Sequence, residues 1–339
     1  MSSYVLHHDD RSTLWPQVVF QHVVDHVRLQ GHEVKCEGRG TFRTNFFGRM
    51  QRVATLEDSF AVLQDVSTDH YIVMDCHDWT VPEDLRLYLR DPRCELILKC
   101  QFRPAETRMR RRLTPGQLND VRGMRRAIVQ PWTYFDLHWP QFHELHLELR
   151  SAVRTDQRMF FRGGLSGFDP DRSNFKPGRN RDMKNMRRPT FEALAAMGVM
   201  NDDPEWIPYE PYIKEMSGYR IALSLSGDGE FCHRDMEALG IQVPLLRPRM
   251  RNQMHDPLKE DYHYISVDAD PERDSPTEMA KKVADRYHTV IEQPDFLDTV
   301  ARNGAAWYDR NVAPGPAMAL TTELLGIRAM QRSELATVR

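Results

Sequence analysis

The run LSLSGDGEFCHRDMEALGIQVPLLRP, Leu223 to Pro248, decides the fold. An apolar stretch gives way to a turn around Gly227 and Gly229. A helical segment, HRDMEALG (233–240), follows, and IQVPLLRP (241–248) resumes as an apolar strand. Strand, tight turn, helix and strand form the unit from which parallel sheets are wound. YRI (219–221) extends the first strand backward. Downstream, HYISVD (263–268) reads as another strand and PTEMAKKVADRYHTVIEQ (276–293) as a helix. FLDTVARNGAAWYDRNV (296–312) and AMALTTELLGIRAM (317–330) read as closing helices. Upstream, TDQRMFFRGGLSG (155–167) places a strand, Arg158 to Phe161, before a Gly-rich turn. Residues 169–188, rich in Arg, Asn, Pro and Gly, read as a long loop into the helix TFEALAAMG (190–198).

The N-terminal half repeats the theme. SYVLHHDD (3–10) reads as a strand. Val18, Val19, Val23, Val27 and Leu29 follow at helical spacing, Gly31 stops them, and HEVKCEG (32–38) reads as the next strand. Tyr71 to Met74 suit a buried parallel strand, with acidic residues past its C-terminal end, and CELILKCQF (94–102) reads as another. His143 and His146, in the polar stretch FHELHLELR (142–150), read as surface residues. The domain boundary is expected near 150, giving domains of 1–150 and 151–339. The expected class is α/β, with two Rossmann-like domains whose parallel sheets face a central cleft.

Composition narrows the function. The 339 residues suit two domains. Lys+Arg number 46 against Asp+Glu 49, a net charge of -3, which argues against a strongly basic nucleic-acid binder. Mean hydropathy is -0.61, and no apolar run approaches the roughly 18 residues of a membrane span. The N-terminus lacks the order of a signal peptide, so a cytoplasmic location is expected. Cys36, Cys76, Cys94, Cys100 and Cys232 form no CxxC pair, so reduced thiols are expected rather than a zinc site or disulfides.

Two glycine turns carry the chemistry. In FFRGGLSG (160–167), backbone NH groups at Gly163, Gly164 and Ser166 could approach an anion, and Arg162 could clamp a phosphate; an ordinary turn with a surface arginine is the alternative. In the second turn, Gly227, Asp228 and Gly229 precede a helix whose first turn holds Arg234. That cation is unfavourable at a helix N-terminus unless an anion offsets it. Glu237 lies on the same face, suited to ribose hydroxyls or to a simple ion pair with Arg234. Beyond the strand of Tyr71 to Met74, Asp75, His77 and Asp78 offer a general base; a metal reading of these three is disfavoured, since loop Asp and His mostly serve turns. Nine Lys/Arg lie between Lys99 and Arg126, and seven between Arg172 and Arg188, either as anion-attracting patches or as solvated loops. Trp132, Tyr134, Phe135 and Trp139 suit core packing or stacking on sugars and bases.

The order of FFRGGLSG, LSLSGDGEFCHRDMEALGIQVPLLRP, PLKEDYHYISV (257–267) and NGAAWYDRNVAPGPAMALTTELLG (303–326) resembles glycosyltransferase family 90, the protein O-glucosyltransferase and capsule-associated enzymes. IVMDCHDW (72–79) looks like that family's catalytic element. The resemblance implies a GT-B fold, with the acceptor in the first domain and the nucleotide sugar in the second. It also implies an inverting, metal-independent transfer from a UDP-sugar, with no cofactor beyond that donor substrate. Asp78 is then the expected base, with Asp75 as its substitute. Arg162, Arg234 and the two glycine turns would face the diphosphate, and Glu237 the ribose. The acceptor hydroxyl could belong to a glycan, a protein or a small molecule. Two alternatives stand: transfer to a hydroxylated base in DNA, and a non-catalytic nucleic-acid-binding protein.

Overall fold

The computed structural model describes residues 3–8, 24, 27–28, 31–38, 42–44, 50–52, 60–75, 91–99, 127–129, 139–163, 165, 181–205, 207–227, 230–252, 254, 256–271 and 273–313. The chain divides into two compact units. One comprises Pro140–Asn252 with Asp256–Arg310, and the other comprises the rest.

In the first unit, strands β1 (Ser3–His8), β2 (Glu33–Gly38), β5 (Phe60–Asp65), β6 (Tyr71–Asp75), β7 (Cys94–Lys99) and β8 (Ala127–Val129) form one sheet in the order β2-β1-β5-β6-β7-β8. Strands β3 (Phe42–Thr44) and β4 (Met50–Arg52) pair separately and antiparallel. β1 and β2 run parallel, as do β6, β7 and β8, in keeping with the expected βαβ beginning. Between β1 and β2, residues 24, 27 and 28 are helical and bury Val24 and Val27. β5 departs from the expected parallel order: it is antiparallel to both β1 and β6. The cause is local. Only residues 66–70 join β5 to β6, far short of the dozen or so that a parallel crossover needs. Asp69 takes a positive φ of 59° in that turn, and Asp65 N–H donates to His70 O at 2.8 Å. Ala61, Val62, Leu63, Ile72, Val73 and Met74 are buried side by side in consequence.

In the second unit, β9 (Asp156–Phe160), β10 (Tyr219–Leu223), β11 (Leu245–Pro248) and β12 (Ile265–Val267) form a wholly parallel sheet, ordered β12-β11-β10-β9. Its helices are α1 (Trp139–Leu149), α2 (Arg181–Ala196), α3 (Tyr209–Ser217), α4 (His233–Gly240), α5 (Pro276–Ile291) and α6 (Pro294–Asn311). Met159, Ile221, Leu223, Leu246, Ile265 and Val267 of the sheet join Phe191 and Leu194 of α2 and Met279 and Val283 of α5 in one core. Each such side chain contributes roughly 1.5–3 kcal/mol by leaving water. α5 begins with a capping box legible in SPTE: Ser275 Oγ accepts from Glu278 N–H, and Glu278 Oε2 accepts from Ser275 N–H at 2.8 Å.

Three expectations change. Helix α2 begins at Arg181, where a loop was expected to 188, and it carries Pro189 inside. Polar composition misleads there, because Met186, Thr190, Ala193 and Leu194 keep a helical stripe toward the core. That packing outweighs the backbone bond Pro189 forgoes. His146 is fully buried, not at the surface: its ring bonds Tyr308 Oη at 3.1 Å and Tyr209 Oη at 2.8 Å. The division between the units falls at Trp139 and Pro140 rather than near 150. α1 is tied into the second unit through His146 and through Arg150, which donates to Gly240 O and to both carboxylate oxygens of Asp309.

Candidate functional site

The second unit brings two arginine-bearing turns together at the C-terminal ends of adjacent strands β9 and β10. Open α/β sheets bind ligands at such strand ends. Leaving β9, the chain turns at Arg162 and Gly163, where Gly163 N–H donates to Pro204 O at 3.2 Å. Leaving β10, it passes Leu225, Ser226 and Gly227 and enters α4 at Cys232. Arg234, in the first turn of α4, joins the two. Its Nη2 donates to Arg162 O, and its guanidinium lies 4.1 Å from the centre of the Phe161 ring. A Cβ on Gly163 would fall on Arg234 Nη2, so the glycine is required by this approach as well as by its φ of +149°.

Arg234 is 7% exposed, yet its Nε and Nη1 are buried without a hydrogen-bond partner among the described residues. An unsatisfied cation in such a place is costly unless an anion completes it. Glu237, one turn along α4, accepts from Tyr212 Oη of α3 at 2.8 Å. Burial pushes the Glu237 carboxyl up to about 7, against the hydrogen bond from Tyr212 and the charge of Arg234. The Tyr212 hydroxyl is raised in turn, by burial first and by Glu237 next.

The turn is braced from beneath. Asp235, wholly buried, accepts from Cys232 N–H at 2.6 Å, and Arg247 Nη1 of β11 lies 2.8 Å from its carboxylate. Arg247 Nη2 also donates to Glu230 O at 2.8 Å, and the Glu230 carboxylate accepts from Arg251 and Asn252 N–H. A third arginine was hidden from motif reading inside the basic run of 172–188. Arg187, on α2, donates from Nε to Leu225 O and Ser226 O and from Nη2 to Cys232 Sγ at 3.6 Å. A Cβ on Gly227 would come within 2.5 Å of its Nη2.

Of the expected site residues, Gly163, Gly227, Arg234 and Glu237 gather here. Arg162 is present through its backbone only. Its guanidinium turns to α3 and the segment before it, donating to Glu215 at 2.7 and 3.1 Å, to Asp203 at 2.9 Å and to Glu205 O at 2.9 Å. Those bonds meet its charge within the fold. Asp75 closes β6, in register with Phe60 and Lys99. Asp78, Gly164, Ser166, Asp228 and Gly229 lie outside the described residues, as do His77, Trp132, Tyr134 and Phe135, most of the two basic runs and the helix expected at 317–330. Among the described residues, no helix is long and apolar enough to cross a membrane.

No family model and no curated protein matches the chain. Several solved structures are similar to it in outline. Sucrose-phosphate synthase from Thermosynechococcus elongatus has 11% identity and a TM-score of 0.44, covering 97% of this chain and 96% of that one. HepE of Anabaena, solved with UDP and glucose, has 12% identity and a TM-score of 0.43, covering 75% and 71%. A glycosyltransferase from Rickettsia africae has 9% identity and a TM-score of 0.39, covering 74% and 69%.

Proposed function

We propose that the protein is a GT-B glycosyltransferase that moves a sugar from a UDP-sugar to an acceptor hydroxyl, with inversion and without a metal. The observation that carries this is Arg234: a buried guanidinium with two nitrogens unpartnered among the described residues, beside the glycine turn that leads from a parallel strand into a helix. A diphosphate is an anion of the right charge for that place. Glu237, beside it on the helix, would hold the ribose hydroxyls. The first unit would hold the acceptor.

The chemistry is a single displacement. The acceptor oxygen bonds to the anomeric carbon as the bond from that carbon to the β-phosphate oxygen breaks, and UDP departs with its electron pair. Asp78 takes the acceptor proton, with Asp75 as the substitute. Arg234 and the backbone NH groups at Gly163 and Gly227 stabilise the charge gathering on the leaving phosphate. Preorganised groups of this kind typically lower a barrier by a few kcal/mol each.

A thermal-shift screen over nucleotide sugars, followed by calorimetry with UDP, tests the binding half. A melting temperature that no nucleotide sugar raises would sink it. For the chemistry, Asp78→Asn should abolish transfer and donor hydrolysis while UDP affinity stays at the wild-type value; retained turnover would remove Asp78 from its role.

A further inference from the structure

The proposed donor site asks Glu237 to accept hydrogen bonds from ribose hydroxyls, and a carboxylate does so well only when its oxygens are held in place. The last torsion of a glutamate side chain is soft, so an unrestrained carboxylate must be ordered as the ligand binds, which weakens binding. The backbone beneath Glu237 is already fixed. Cys232 N–H donates to the Asp235 carboxylate at 2.6 Å, and Arg247 Nη1 lies 2.8 Å from that carboxylate. What remains to be fixed is the end of the Glu237 side chain, and Tyr212 reaches it. Tyr212 Oη donates to Glu237 Oε2 at 2.8 Å, and among the described residues Glu237 Oε1 accepts no hydrogen bond.

The placement of Tyr212 is built into the fold. Tyr209, Tyr212, Ile213 and Met216 recur at helical spacing along α3, and Ile213 and Met216 are fully buried. The Tyr212 ring packs against Phe160 at the end of β9, 5.7 Å between centres, and against Tyr209 at 6.1 Å. With the ring held in this way, its hydroxyl is aimed across to α4. The same hydroxyl feels the charge of Arg234, so Tyr212 stands beside both groups assigned to the donor. We infer that Tyr212 is a positioning residue of the donor site: from α3 it pins Glu237 Oε2 and so presents Oε1 to one ribose hydroxyl of the donor. This rests on the proposed donor-binding function.

The test is calorimetry on the full chain with UDP, 2′-deoxy-UDP and 3′-deoxy-UDP. Wild type is compared with Tyr212→Phe, Glu237→Ala and the double variant, each checked by its melting temperature. Wild type binds at least one deoxy ligand about tenfold more weakly than UDP, the effect of one hydrogen bond to a charged group, and Glu237→Ala abolishes that discrimination. Tyr212→Phe keeps the ring but frees the carboxylate, so UDP affinity falls about threefold to tenfold and the discrimination shrinks to about twofold. In the Glu237→Ala background, Tyr212→Phe changes UDP affinity by less than about twofold, because a residue that acts through another has no effect once the other is gone. If Tyr212 only packs α3 against β9, losing its hydroxyl weakens UDP equally in both backgrounds and leaves the discrimination unmoved. That outcome overturns the inference. So does a Tyr212→Phe variant that binds UDP as tightly as wild type or more tightly, or a wild type that binds all three ligands alike. Failure of the wild-type protein to bind UDP is a separate result: it overturns the donor-site function itself.

Discussion

The turns after β9 and β10 look alike in sequence, each a strand, glycines and an arginine, yet they differ in electrostatics. Arg162 is surrounded by Glu215, Asp203 and a carbonyl, so its charge is met within the fold. Arg234 has a carbonyl, an aromatic face, the Glu237 carboxyl one turn on, and two nitrogens without a hydrogen-bond partner among the described residues. The first arginine is a brace between β9 and α3, whereas the second keeps Nε and Nη1 without a hydrogen-bond partner among the described residues. An arginine beside a glycine turn therefore says nothing about ligand binding until its carboxylate neighbours are known.

The sharpest way to break this contrast is to neutralise each arginine in turn. Arg234→Met should lower UDP affinity about a hundredfold, a loss of about 3 kcal/mol typical of charge-assisted bonds, with the melting temperature unchanged or raised. Arg162→Met should behave in the opposite way. It leaves Glu215 without its partner and should cost about 1–3 kcal/mol of stability in denaturant unfolding, while UDP affinity of the folded protein holds. If both variants lose affinity alike, the distinction between brace and site fails. Gly163→Ala should show how closely the two turns are coupled. The added methyl group displaces Arg234 from Arg162 O, so UDP affinity should fall by about tenfold in calorimetry, alongside the strain of a positive φ.

Smaller effects concern pH. The Glu237 carboxyl is raised from its ordinary value to about 7, so the folded protein holds a proton there that the unfolded chain releases earlier. Its contribution to stability is complete below about 4.5 and is lost as pH rises through about 7. Glu237→Gln should flatten that part of the melting profile. His146 runs the other way. Burial lowers it to about 3, so its contribution is present above about 6.5 and declines as pH falls toward 3. His146→Gln should lessen the acid sensitivity, read from melting temperatures between those limits.

Much of the second unit was legible. Its four parallel strands follow from short apolar runs separated by glycine turns and amphipathic helices, and α5 announces itself by its capping box and buried stripe. β5 escaped because FAVLQD is a brief run whose pairing depends on the turn at 66–70. The start of α2 escaped because its polar residues and Pro189 resemble a loop when the core it packs against is unknown. Buried His146 escaped for a similar reason: only Tyr209 and Tyr308, distant in sequence, supply its partners.

The sequence by itself determined the α/β class, the glycine turns after β9 and β10, and the placing of Arg234 and Glu237 on one face of a short helix. These depend on local spacing and on apolar periodicity within a dozen residues. Only the tertiary structure decided which arginine keeps guanidinium nitrogens without a hydrogen-bond partner among the described residues. That depends on whether a carboxylate such as Glu215, tens of residues away, folds against it, and electrostatic energy is set by distance in space rather than along the chain.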